Sequence, residues 1–124
     1  NPKEHFGKQK PSLHLVPPAL ALWVSAVFKQ SAAKYGPYNW RDTPVLLSVY
    51  LDAIERHVLQ IKDGAWVDSE SWNPHVAHIA ANVAIILDAK YAGTLVNDLV
   101  WRKGLAEQII NELTEKEPRD DPGI

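Results

Sequence analysis

Cysteine is missing from these 124 residues, which removes disulfides, thiolate zinc sites and thiol nucleophiles together. The fold must then rest on its core, and a cytoplasmic chain is the simplest expectation. Charge of one sign is missing too: 13 basic against 15 acidic side chains leave a net charge of −2. That balance gives no electrostatic case for a nucleic-acid backbone or a membrane surface as partner. No apolar run reaches the roughly 18 residues of a membrane span. The N-terminus carries charge and prolines where a signal peptide needs an apolar segment, so a soluble, unexported protein is expected. Strand signals are scarce as well, because no stretch alternates for long and the β-branched residues sit inside helical patterns.

What the chain does have is 46% hydrophobic residues, enough for a single domain to build a core. The expected fold is all-α, a compact bundle of about four helices forming one domain over 1–124. Its core spans about 11–117, between an irregular arm at 1–10 and a charged tail at 118–124. Pro17 and Pro18 suit the first turn of a helix that continues from Ala19 to about Lys34, with Leu20, Trp23, Val24, Val27 and Phe28 on one stripe and Gly36-Pro37 as its stop. Asp42 or Thr43 before Pro44 reads as the start of a second helix over 45–61, ended by Gly64. Asn73-Pro74 repeats the start signal for a third helix from His75 to about Tyr91, closed by Gly93. It is apolar almost all the way round and therefore central. A fourth helix is expected from about Trp101 to Lys116, with Leu105, Ile109, Ile110 and Leu113 along one side.

Polar chemistry concentrates in three places. The connector from Lys34 through Tyr35, Tyr38, Asn39 and Trp40 to Arg41 is rich in aromatics and cations. Lys34 and Arg41 can take phosphate oxygens, and Trp40 or Tyr38 can stack on a base; the plainer reading is a turn capped by aromatics. On the second helix, Asp52 and Arg56 lie one turn apart, with Glu55 beside them and His57 about 100 degrees further round than Arg56. On the third, His75, His78 and Asn82 fall at i, i+3 and i+7 on one stripe of an apolar helix, where unpaired polar groups cost about 1–3 kcal/mol each. They require hydrogen-bond partners, water or a metal. His75 sits in the first helical turn, where the positive end of the dipole favours a neutral ring able to bind a metal. Asp68 and Glu70, in the preceding loop, are either oxygen ligands or ordinary turn residues.

Over about residues 10–93 the chain resembles phage-encoded proteins carrying the N-terminal domain of dATP/dGTP diphosphohydrolase. The resemblance rests on Lys34-Tyr35-Gly36, Asn39-Trp40-Arg41, Tyr50, Ala53, Arg56-His57, Gly64, Asp68, Ser71, His75 and His78. Trp72 departs from it, standing where the family usually has glycine. The resemblance implies metal-dependent hydrolysis of a purine deoxynucleoside triphosphate to monophosphate and pyrophosphate, in the host cytoplasm. Asp52-x-x-Glu55 and His75-x-x-His78 occupy positions like the paired acidic motifs of all-α MazG-type pyrophosphohydrolases, and the mixed ligand set is similar to that of HD-type phosphohydrolases, without their His-Asp dipeptide. On this footing His57, Asp68, His75 and His78 are the expected ligands of a divalent cation (manganese, magnesium or cobalt), the imidazoles favouring softer ions than magnesium. Asp52, Arg56 and His57 form the expected catalytic set, and Lys34, Tyr35, Tyr38, Asn39, Trp40 and Arg41 the nucleotide-binding set. Two other classes stay open: a non-catalytic nucleotide- or protein-binding module using the 34–41 loop, and an assembly protein. A homo-oligomer is expected, the last helix packing on a neighbour.

Overall fold

The structure is a computed structural model that describes residues 1–100 and 102–115. Trp101 and Lys116, the expected ends of the fourth helix, and the tail at 118–124 lie outside the described residues. Five α-helices are described: α1 (Pro2–Gly7), α2 (Pro18–Tyr35), α3 (Leu47–Lys62), α4 (His75–Ala92) and α5 (Leu105–Leu113). Two strands of two residues each, β1 (Val45–Leu46) and β2 (Leu95–Val96), complete the regular structure with 3-10 turns at Leu13–Leu15 and Asn39–Arg41. The chain is all-α in substance. None of the described helices is long and apolar enough to cross a membrane.

Helix α4 is the centre, packing against α3 on one side and α2 on another. Its alanines explain how: Ala77 and Ala81 are buried against Val27 of α2, with Val24 and Phe28 around them, and such small side chains let two backbones approach closely. Pro18 occupies the first turn of α2, and Gly36 ends that helix at φ 84, a conformation open to glycine at little cost. Gly93, at φ 78, closes α4 in the left-handed conformation, its N–H bonding back to Ala89 and Lys90 carbonyls. Val45 donates to the Thr94 carbonyl at 2.9 Å, and β1 and β2 pair in parallel, Val45 opposite Leu95 and Leu46 opposite Val96.

Three expectations are corrected here. The arm at 1–10 is not irregular throughout: Asn1 accepts from the Lys3 N–H as N-cap, Pro2 sits in the first turn, and α1 forms without burying any residue. The second long helix begins at Leu47 rather than Val45. Val45 and Leu46 are taken up by β2, and the cap comes from Asp98, whose carboxylate accepts from the Ser48 N–H at 2.9 Å and from the Ser48 hydroxyl. The last helix is shorter than expected. It starts at Leu105 after Gly104 at φ 88 and buries none of its residues, whereas α2 and α3 are the helices packed on α4.

Candidate active site

The loop between α3 and α4 folds back on itself and delivers an acid to the start of α4. Val67 and Pro74 form an antiparallel bridge, the His75 N–H donates to the Trp66 carbonyl at 2.9 Å, and Asp68 exchanges backbone bonds with Asn73 and Trp72 at 2.9 Å each. Asp68 Oδ1 accepts the Glu70 N–H at 2.9 Å, which fixes its carboxylate as an Asx turn. Trp72 closes the loop at φ 63, a left-handed conformation that side chains other than glycine adopt at a cost. Gln30 of α2 clamps the loop from across the cleft, accepting from Asn73 Nδ2 at 3.0 Å and donating to the Ser71 carbonyl at 3.1 Å.

This loop brings Asp68 to two imidazoles. One donor atom each from His57, Asp68 and His78 lie within 4.8 Å of one another. His78 Nε2 is 2.6 Å from the Ser71 hydroxyl and 3.3 Å from Asp68 Oδ2. The His57 and His78 rings are stacked, with centroids 4.8 Å apart and planes within 2°. His75 stands outside this trio. It is 1% exposed, its Nδ1 lies 2.8 Å from His57 Nδ1, and its Nε2 has no hydrogen-bond partner. In that Nδ1 pair one ring donates and the other accepts, which leaves Nε2 as the free lone pair of His57 when His57 is the donor.

Electrostatics favours the ligand-competent protonation state. Burial, reinforced by the neighbouring His78 and His75, holds His57 below the ordinary histidine value. His78 is lowered chiefly by burial, against the opposing pull of Asp68. Burial works to raise Asp68, but its bond from the Glu70 amide and the three facing imidazoles outweigh it, and the carboxyl ends below its ordinary value. Two neutral imidazoles and one carboxylate at such spacing suit a divalent ion of borderline softness.

A cleft of about 780 Å3 opens beside the trio, lined by Asp68, His78, Glu70, Asn82, Lys34 and Asn39 among others. The expected nucleotide-binding set divides here. Lys34, Tyr35 and Asn39 line this cleft, whereas Tyr38 and Trp40 line a second cavity of about 320 Å3. Trp40 is 7% exposed, and its indole N–H donates to Asp88 Oδ2 at 2.7 Å. Arg41 grips the same carboxylate through Nε and one terminal nitrogen, both at 2.7 Å, and lies 4.2 Å over the Tyr38 ring. Asp52 and Arg56 are exposed on α3 and line neither cavity. Sequence reasoning missed Asp88 and Gln30. Asp88 had a readable signal, an acid near the end of a nearly all-apolar helix; Gln30, an ordinary glutamine on α2, had none.

The family described as dATP/dGTP diphosphohydrolase, N-terminal, matches residues 1–99. A protein of Salmonella phage PMBT28 named dATP/dGTP diphosphohydrolase is 32% identical over 81 residues, covering 65% of this chain and 27% of that protein. The chain thus spans little more than a quarter of that relative's length. No solved structure matches it.

Proposed function

The chain belongs to the dATP/dGTP diphosphohydrolase N-terminal family, and from that footing we propose that it hydrolyses a purine deoxynucleoside triphosphate to the monophosphate and pyrophosphate with a divalent cation. The convergence of His57, Asp68 and His78 on one point beside a large cleft carries this reading. These three side chains would hold the ion, with manganese or cobalt better matched to two imidazoles than magnesium. When bound, it supplies positive charge to a phosphoryl oxygen and lowers the pKa of water.

The chain's own groups account for the rest. Lys34, on the cleft wall, offsets triphosphate charge, and Asn39 and Asn82 offer hydrogen bonds along the same wall. Asn82 Nδ2 already donates to the His78 carbonyl at 2.8 Å, which leaves its Oδ1 as an acceptor. His75 orients His57 through its Nδ1, whereas the Ser71 hydroxyl and Asp68 Oδ2 both meet His78 Nε2, the ring nitrogen that would face the ion. Arg41 is engaged by Asp88, and Arg56 stands away from the cleft, so Lys34 is the principal phosphate cation in this reading.

A homo-oligomer belongs to the same proposal, since α5 leaves Leu105, Ile109, Ile110 and Leu113 exposed; light scattering that returned a monomer would remove it. The decisive assay incubates the purified chain with dATP, dGTP, dCTP and dTTP and with manganese, cobalt or magnesium, and resolves products by phosphorus NMR. Monophosphate and pyrophosphate from the purine substrates are expected. No product with any metal, alongside nucleotide-dependent thermal stabilisation, would instead make the chain a binding module.

A further inference from the structure

The second cavity has no role in the chemistry above. It is walled by Phe28, Tyr38, Trp40 and Ala84 and ends at Asp88, and it adjoins the metal-side cleft, with Phe28 and Ser31 lining both. We propose that this cavity is the base subsite, holding a purine whose edge donates a hydrogen bond to Asp88 while the phosphates extend across Phe28 and Ser31 towards His57, Asp68 and His78. The proposal rests on the reading of the chain as a nucleotide hydrolase.

Three features support it. The walls are right for a flat aromatic ligand: the Phe28 and Trp40 ring centroids lie 5.4 Å apart, as do those of Tyr38 and Trp40, so the aromatics brace one another as a rigid wall. A cavity of about 320 Å3 is of ligand-binding size, near the lower end of the range of roughly 300–1,000 Å3. The polar end is prearranged. Asp88 Oδ2 accepts from both Trp40 and Arg41, whereas Oδ1 accepts only from Arg41 and keeps a lone pair for a further donor. The paired Arg41 and Trp40 hold this carboxyl at a pKa of about 2, so it is an acceptor only at any working pH. A ligand must therefore bring the hydrogen, as the 6-amino group of adenine or the N1–H and 2-amino edge of guanine does. One carboxylate oxygen can accept from either base.

The test is binding of 2′-deoxyadenosine without phosphate or metal, followed by calorimetry or tryptophan fluorescence, against deoxynebularine, which lacks only the 6-amino group. Wild-type protein is expected to bind deoxyadenosine at least about tenfold more tightly, the worth of one hydrogen bond to a charged acceptor. Ala84→Leu, at a residue that lines the second cavity and not the metal-side cleft, is expected to lose deoxyadenosine binding while retaining manganese binding and the wild-type melting temperature. Undetectable deoxyadenosine binding by the wild type, equal binding of deoxynebularine, or undiminished binding by Ala84→Leu would each overturn the assignment. Absence of hydrolysis with base binding intact would overturn the catalytic reading and leave the subsite standing.

Discussion

Exchanging His75 for leucine separates stability from metal binding. His75 is 1% exposed, bonds only His57 through Nδ1 and leaves Nε2 buried without a partner. Leucine has nearly the same volume, so no large cavity opens. It removes an unsatisfied nitrogen whose burial costs about 1–3 kcal/mol, and it gives up one hydrogen bond with a net worth of about 0.5–1.5 kcal/mol. These oppose one another, and the free energy of unfolding is expected to stay level or rise by about 1 kcal/mol. The metal site responds differently. Without Nδ1 of His75 as acceptor, nothing holds His57 in the tautomer and orientation that present its Nε2, and the loss of such an outer partner typically lowers metal affinity by about 10–100-fold. Urea unfolding and manganese titration on the same preparation read both quantities. His75→Gln, whose Oε1 can accept from His57, should recover part of the affinity. Unchanged manganese affinity in His75→Leu would refute the positioning role, and a destabilisation above about 3 kcal/mol would show that the buried ring is chiefly a structural element.

Replacement of His78 by alanine removes one of three clustered donors and is expected to abolish metal-dependent turnover with helix content by circular dichroism nearly unchanged; undiminished turnover would take His78 out of the site. Acidification should destabilise the fold in a defined window. Because His57 and His78 titrate below their ordinary value of 6.5, the folded state resists protonation, so the stability they contribute is complete above pH 6.5 and falls as the pH drops through their folded values. Asp68, lowered below 3.8, adds a second loss only at still lower pH. A melting temperature that rose between pH 7.5 and 5.5 would contradict the histidine shifts. Trp72→Gly should be neutral to stabilising by up to about 1 kcal/mol, since relief of a left-handed tryptophan worth about 1–2 kcal/mol exceeds the entropy cost of glycine of about 0.4–1 kcal/mol. The tryptophan is 77% exposed, so little burial is lost, and a free energy of unfolding in urea lowered by more than about 1 kcal/mol would show that its ring holds the loop.

The long helices were legible because their signals are local. Pro18, Gly36, Gly93 and the apolar run of α4 act within a turn or two of where they stand, and each marks a helix end or a buried face in the structure as it does in the sequence. The start of α3 was not legible, for a reason of distance. The Asp42-Thr43-Pro44 signal is a proper local start, but Asp98 supplies the cap from fifty residues away and β2 claims Val45 and Leu46. Strands of two residues leave no alternation to read, and the pairing joins β1 to a segment that follows Gly93 at the end of α4.

For the site, spacing placed His75 and His78 on one stripe but not at their depths. His75 and His78 share a helix face, yet His75, at the first position of α4, is sealed beneath the loop bridged at Val67 and Pro74, while His78 opens on the cleft. Three residues of helix separate a positioning group from a candidate ligand, and only the loop's return path decides which is which. The 34–41 connector divides in the same way. Its composition allowed either a binding loop or a turn capped by aromatics, and Asp88 draws Trp40 and Arg41 away from Lys34 and Asn39, so residues adjacent in sequence come to line two cavities on either side of Phe28 and Ser31. If the base subsite lies where those aromatics are held, the split is functional: one loop reaches the base with one half and the phosphates with the other, and Asp88 on α4 sets the distance between them.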